Sequence, residues 1–182
     1  MNRAITRKNK VSYKVIIFWS IIGFLTLFFV GYVIYRFVEQ LNVQTFEDIN
    51  NLTGDQIFEQ SGTYYVFVYS KKGIEGHDDI LTKKAELEQT IENYLTYAKR
   101  NEGAYKLYGM NVDIGNDNYG NYGALVFGTQ TTNVRNVTNF KQFKVHVDDL
   151  PLLVKISGGR VVEQYITVNE IKAELETTMG IG

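Results

Sequence analysis

Twenty-one consecutive residues without a charge, VIIFWSIIGFLTLFFVGYVIY at Val15–Tyr35, constrain this chain more than any other feature. At 1.5 Å per residue such a run crosses a hydrocarbon core of roughly 30 Å. It is too long for a signal-peptide core of about 7–15 residues, and Arg36-Phe37-Val38-Glu39 offers no small-x-small cleavage site. Ser20, Gly23, Thr26 and Gly31 relieve the run without making the polar stripe of a buried core helix. The reading is one uncleaved signal anchor over 15–37.

Charge gives the orientation. Arg3, Arg7, Lys8, Lys10 and Lys14 precede the run, and Arg36 alone follows closely. The positive-inside rule places a basic tail, 1–14, in the cytoplasm and the rest outside. Trp19, Tyr32 and Tyr35 fit the aromatic belts of a bilayer. Five of the nineteen Lys and Arg lie in that tail, so fourteen face all twenty Asp and Glu, a net −6 for the remainder. Such a domain repels phosphate backbones, and no nucleic-acid partner is expected. The expected partners are the lipid bilayer and an envelope protein. The 182 residues contain no cysteine, which removes disulfides, thiolate catalysis and Cys-ligated metals.

Residues 38–51 are polar and irregular and read as a tether into a domain over 52–182. Thr53-Gly54-Asp55-Gln56 is a capping box for a short helix over Gly54–Gln60. Tyr64–Ser70 is apolar on both faces, the pattern of a covered central strand. Leu87, Ile91, Tyr94, Leu95 and Ala98 form one stripe of a long helix over Ile80–Asn101. Tyr105–Asp113 is a second strand and Ile114–Tyr122 a Gly/Asn-rich loop. A brief strand is expected around Ala124–Phe127 and a short helix over Phe140–Val145. Leu152–Ile156, Gly158-Gly159 and Val161–Ile166 spell a hairpin. Thr167-Val168-Asn169-Glu170 caps a last helix, Val168–Met179, that stops at Gly180. Crossover helices and a terminal hairpin give an α/β domain with a mixed sheet flanked by helices.

This order, with Val147-Asp148-Asp149-Leu150-Pro151 entering the hairpin, resembles the thioredoxin-like family over about Leu52–Met179. The only proline of the chain stands where that family places a cis-proline, and cis bonds are nearly always X-Pro, so Leu150–Pro151 is expected in cis. The resemblance aligns the redox loop with Ser70–His77, where Gly73 and Gly76 occupy both cysteine positions and Leu152 follows the proline. Dithiol–disulfide exchange needs a thiolate, so the chain is expected to be no oxidoreductase, and no enzyme.

The resemblance also implies a groove between the two loops that pairs with an extended peptide. Its walls would be Gly73, Ile74, Glu75, Gly76 and His77 on one side and Asp149, Leu150, Pro151 and Leu152 on the other. The functional expectation is a non-catalytic, membrane-anchored binding or scaffold protein of an extracytoplasmic envelope assembly, with no cofactor. Two alternatives stay open. His77 and His146, with Asp79 and Asp148, would suit a divalent metal or a pH-responsive patch, provided the two imidazoles come within about 4 Å. An accessory role in export, as in bacteriocin transport, is the other. Asp113, Asn116 and Asp117 suggest calcium only faintly, since the EF-hand spacing is missing.

Overall fold

The computed structural model describes residues 12–40, 43–115 and 119–181; the side chains of residues 39, 40 and 119 also fall outside the description. Arg3, Arg7, Lys8 and Lys10 of the basic tail, and Asn116 and Asp117, therefore lie outside the described residues. Two compact units divide between residues 42 and 43.

The first unit is a helix, α1 (Tyr13–Gln40). Its stretch Tyr13–Val38, 26 residues, is long and apolar enough to cross a membrane. At 1.5 Å per residue it measures about 39 Å. Its described side chains are exposed all round, Phe24 and Leu27 among the most exposed. The Ser20 hydroxyl donates to the Ile16 carbonyl and that of Thr26 to the Ile22 carbonyl, both at 2.9 Å. Both hydroxyls thus find acceptors inside their own helix.

The second unit is a mixed five-stranded sheet, β1 (Asn50–Asn51), β2 (Thr63–Tyr69), β3 (Lys106–Asn111), β6 (Leu152–Ser157) and β7 (Arg160–Tyr165). Their order is β1-β3-β2-β6-β7. β1 and β2 run parallel to β3; β2–β6 and β6–β7 are antiparallel. The parallel β2–β3 pair requires a crossover, and α2 (Asp79–Arg100) makes it.

Alternation along β2 separates two cores. Tyr65, Phe67 and Tyr69 join Leu87, Ile91 and Tyr94 of α2 and Ile171 and Leu175 of α4 (Val168–Met179). Tyr64, Val66 and Val68 face the other way, onto Ile57, Met110, Val134, Phe143, Leu150 and Leu152. Two helices cover one face. The segment between β3 and β6, with the Gly54–Phe58 turn, largely covers the other. That segment carries α3 (Tyr119–Tyr122) and a parallel pair, β4 (Leu125–Val126) with β5 (Val145–His146).

Local signals act where the sequence places them. The Thr167 side chain accepts the Glu170 N–H, Glu170 returns to the Thr167 N–H, and Gly180 ends α4 at φ +73°. Gly158 and Gly159 turn the β6–β7 hairpin at φ +58° and +70°, the left-handed region that a type I′ turn needs. Gly109 in β3 meets a different demand: a Cβ there would lie 2.4 Å from the Asn51 Oδ1.

Three expectations give way. Much of the stretch read as a tether is core: Phe46 and Ile49 are buried, and Asn50–Asn51 pair with β3. The expected helix over Phe140–Val145 is a turn at Phe140–Gln142 leading into β5, because Phe143 and Val145 alternate into the core. The expected Gly54–Gln60 helix is a tighter turn over Gly54–Phe58.

Candidate binding cleft beside the 70–77 loop

β2 ends at Tyr69, and the next residues turn on one buried carboxylate, that of Asp113 just beyond β3. Asp113 accepts the Ser70 hydroxyl, the Lys71 N–H at 3.0 Å and the Lys72 N–H at 3.2 Å. Ser70 Oγ in turn accepts the Gly73 N–H at 2.8 Å. Four donors are thereby satisfied in a turn without secondary structure, which fixes the loop onto the sheet. Lys71 pairs with Glu47 at 2.6 Å. Farther along, His77 Nδ1 meets Asp148 Oδ1 at 2.7 Å, and Lys83 Nζ donates to the Asp148 carbonyl at 3.1 Å. Lys83 also pairs with Asp79 at 2.5 Å, and that hydrogen bond holds the Asp79 carboxyl below the usual carboxylate range.

The Leu150–Pro151 bond is cis, as expected. The segment around it lies largely inside the domain. Leu150, Pro151 and Leu152 are buried, and Val134 shares their core cluster. The Thr132 N–H donates to Asp149 Oδ2 at 2.6 Å, Thr132 Oγ1 accepts the His146 N–H at 2.8 Å, and Gln164 Nε2 donates to the Thr132 carbonyl at 2.8 Å. Thr132 thus takes up the Asp149 carboxylate and the His146 N–H ahead of the proline. The expected wall of Asp149, Leu150, Pro151 and Leu152 is corrected on that ground: Leu150, Pro151 and Leu152 are buried, and the Asp149 carboxylate is taken by the Thr132 N–H.

The other expected wall does border open space. A cleft of about 440 Å³ lies between Lys72–Glu75 and residues Asp113, Ile114, Tyr122 and Phe127. A second hollow, of about 320 Å³, continues past His77 to Leu81. Ile114 and Phe127 are each 54% exposed. Phe127 stands 6.3 Å from the His77 ring and 6.4 Å from that of Tyr122. Lys72 and Glu75 supply one charge of each sign at the rim. Gly73, Ile74, Glu75 and His77 are therefore brought together, and the open space beside them is bordered by Ile114, Tyr122 and Phe127, while His77 also reaches Asp148 ahead of the proline.

The metal reading fails on geometry. Among the described residues no three His, Asp or Glu side chains gather as ligands. His77 turns to Asp148, Asp79 to Lys83, and His146 is buried with its Nδ1 lacking a hydrogen-bond partner among the described residues. Asp113, the faint calcium candidate, is committed to the loop. Sequence reasoning missed Ile114 and Phe127, whose only signal was an apolar residue set in a Gly/Asn-rich loop and another beside a two-residue strand.

The strand order, the α2 crossover and the cis-proline entering β6 define a thioredoxin-like fold. No family model matches the chain, and no curated protein matches it. Among solved structures it is similar to a yeast mitochondrial 1-Cys peroxiredoxin: 11% identity over 72% of this chain and 94% of that one, TM-score 0.42. It is also similar to a point mutant of thioredoxin from Halobacterium salinarum, at 14% identity over 71% of this chain and 91% of that one, TM-score 0.37. Likeness at such identity concerns the fold alone.

Proposed function

We propose that this chain is a non-catalytic binding protein: a thioredoxin-like domain, anchored by α1 in the cytoplasmic membrane, that docks a protein partner of an extracytoplasmic assembly. The observation that carries the reading is the pair Ile114 and Phe127, two apolar side chains left more than half exposed beside a loop held in place by Asp113. Apolar groups at a cleft with a charged rim suit recognition. The aligned redox positions are Gly73 and Gly76, and the chain holds no sulfur nucleophile. Nothing at the cleft calls for a bond to be made or broken.

Support for the anchor is the uncharged run itself, the basic residues before it and the exposed apolar surface of α1. Confinement to one membrane raises the effective concentration of a partner in the same membrane, so modest contact area suffices.

The test is site-specific photo-crosslinking in native membranes, with a photoreactive phenylalanine at Ile114 or Phe127 and, as control, at the exposed Val162 of β7. A discrete adduct from the first two positions and none from Val162 supports the reading. Equal adducts from all three, or none from any, contradicts it.

A further inference from the structure

We infer that the segment docked beside the 70–77 loop is apolar and basic: it seats an apolar side chain against Ile114 and Phe127 and presents a lysine or arginine to Glu75 and Asp78. The inference deepens the docking reading above and rests on it.

The two hollows beside the loop share Lys72–Glu75 and differ in chemistry. The larger, about 440 Å³, has the exposed Ile114 and Phe127 on its far side. The smaller, about 320 Å³, has Asp78 and Leu81, and Leu81 is exposed as well. Both lie in the lower half of the usual ligand-pocket range of roughly 300–1,000 Å³, so each suits a few side chains of one segment rather than a folded surface. Between them Glu75 stands in a tight turn, Ile74–His77. The His77 N–H closes it on the Ile74 carbonyl at 3.0 Å, and Gly76 supplies the left-handed third position at φ +81°.

Most charges near this turn are already matched. Lys71 pairs with Glu47, Asp79 with Lys83 and Asp148 with His77, while Asp113 holds its three donors. Lys72, Glu75 and Asp78 are exposed, and their side chains have no hydrogen-bond or ion-pair partner among the described residues. Asp78 even stands at the N-cap of α2, where a carboxylate normally accepts a helix N–H, and makes no such bond. The positive end of that helix has Asp79 in its first turn instead. Two free carboxylates against one free ammonium leave the smaller hollow net negative, in a part of the chain that itself carries −6. A cation is attracted there and a carboxylate repelled. One unit pair at about 4 Å in water is worth about fivefold in affinity, so exchanging a basic for an acidic residue should cost about tenfold after screening by salt.

The test is selection of a random nonapeptide display library on the full-length protein in neutral phosphatidylcholine nanodiscs, after counter-selection on empty nanodiscs. The same selection is run on Glu75→Lys with Asp78→Lys, and on Ile114→Asp with Phe127→Asp. Urea unfolding checks that each variant is folded. The expected enrichment on the parent is an apolar residue together with lysine or arginine, by about tenfold over acidic counterparts. On the charge-reversed variant the apolar preference should persist and the charge preference should invert. If reversal prevents folding, Glu75→Gln with Asp78→Asn replaces it, and the charge preference should vanish. Apolar enrichment without a charge preference, or the same basic preference on the reversed or neutralised variant, overturns the inference and leaves the docking reading standing. No enrichment on the parent beyond that on the Ile114→Asp, Phe127→Asp protein removes both.

Discussion

The carboxylate of Asp113, two residues beyond β3, accepts the hydroxyl of Ser70, one residue beyond β2. β2 and β3 are adjacent and parallel, so their ends arrive side by side and this contact ties them. The same carboxylate takes the Lys71 and Lys72 N–H groups. One acid therefore sets the loop that borders the cleft.

Asp113→Ala removes the shared acceptor of three donors. An orphaned donor costs about 1–3 kcal/mol, and the two backbone N–H groups belong to exposed residues that water can reach, so a loss of about 2–4 kcal/mol is expected. Urea unfolding measures it. Amide exchange at Lys71 and Lys72 should speed up more than exchange in β6. Unchanged protection at both amides would contradict the assigned role.

The hairpin glycines differ in what they oppose. Gly158→Ala meets only the left-handed backbone, at a cost of roughly 1–2 kcal/mol. Gly159→Ala adds a Cβ at 3.1 Å from the Phe58 carbonyl oxygen, so it should destabilise more. Thermal melts of the two variants rank them; the reverse order would contradict the packing of the Gly54–Phe58 turn on the hairpin.

Alkaline stability follows from buried phenols. Burial pushes the Tyr69 hydroxyl up to about 12, and burial likewise raises Tyr65, Tyr94 and Tyr165. A folded-state value above the unfolded one near 10 means that the contribution is intact below about pH 10 and is lost as pH rises through the folded value. Tyrosinate absorbance should therefore rise in two stages, exposed phenols near pH 10 and the buried set only together with loss of helical circular dichroism. A single stage complete by about pH 10.5 with the fold intact would contradict this burial.

Lys155 lies between Glu174 at 3.4 Å and Glu163 at 3.5 Å, its ammonium over the Tyr65 and Tyr105 rings. Burial alone would lower its pKa, but the two carboxylates raise it on balance. Lys155→Met leaves Glu174 partly buried without its cation. The expected cost is about 1–2 kcal/mol, between exposed and buried pairs. Lys155→Met with Glu174→Gln should recover part of it in a double-mutant cycle. Additive losses would show that the pair is not coupled.

Much of the fold was legible because its signals are local. The doubly apolar β2, the α2 stripe, the Gly-Gly turn, the Thr167–Glu170 box and the lone proline each act within a few residues of themselves. What escaped was set by distant contacts. Phe46 and Ile49 are two apolar residues in a polar stretch, and only their burial against β2 and α2 reveals them as core. Leu125–Val126 finds its partner twenty residues later, in a strand of two residues. Phe140 and Phe143 carry a helical spacing, while Phe143 and Val145 carry a strand spacing, and the core decided between them. The cleft was half legible for the same reason. The Gly73–His77 side follows from chain order, whereas the opposite side depends on where the segment between β3 and β6 brings Ile114, Tyr122 and Phe127.

The central claim, that the cleft at Ile114 and Phe127 is the partner-docking surface, is tested most directly by removing its apolar character and reading the docking at a neighbour. A photoreactive group at Lys72 is introduced with and without Ile114→Asp and Phe127→Asp together. The expected result is an adduct in the parent that disappears in the double variant, with unchanged urea unfolding. An adduct that persists in the folded double variant would contradict the account.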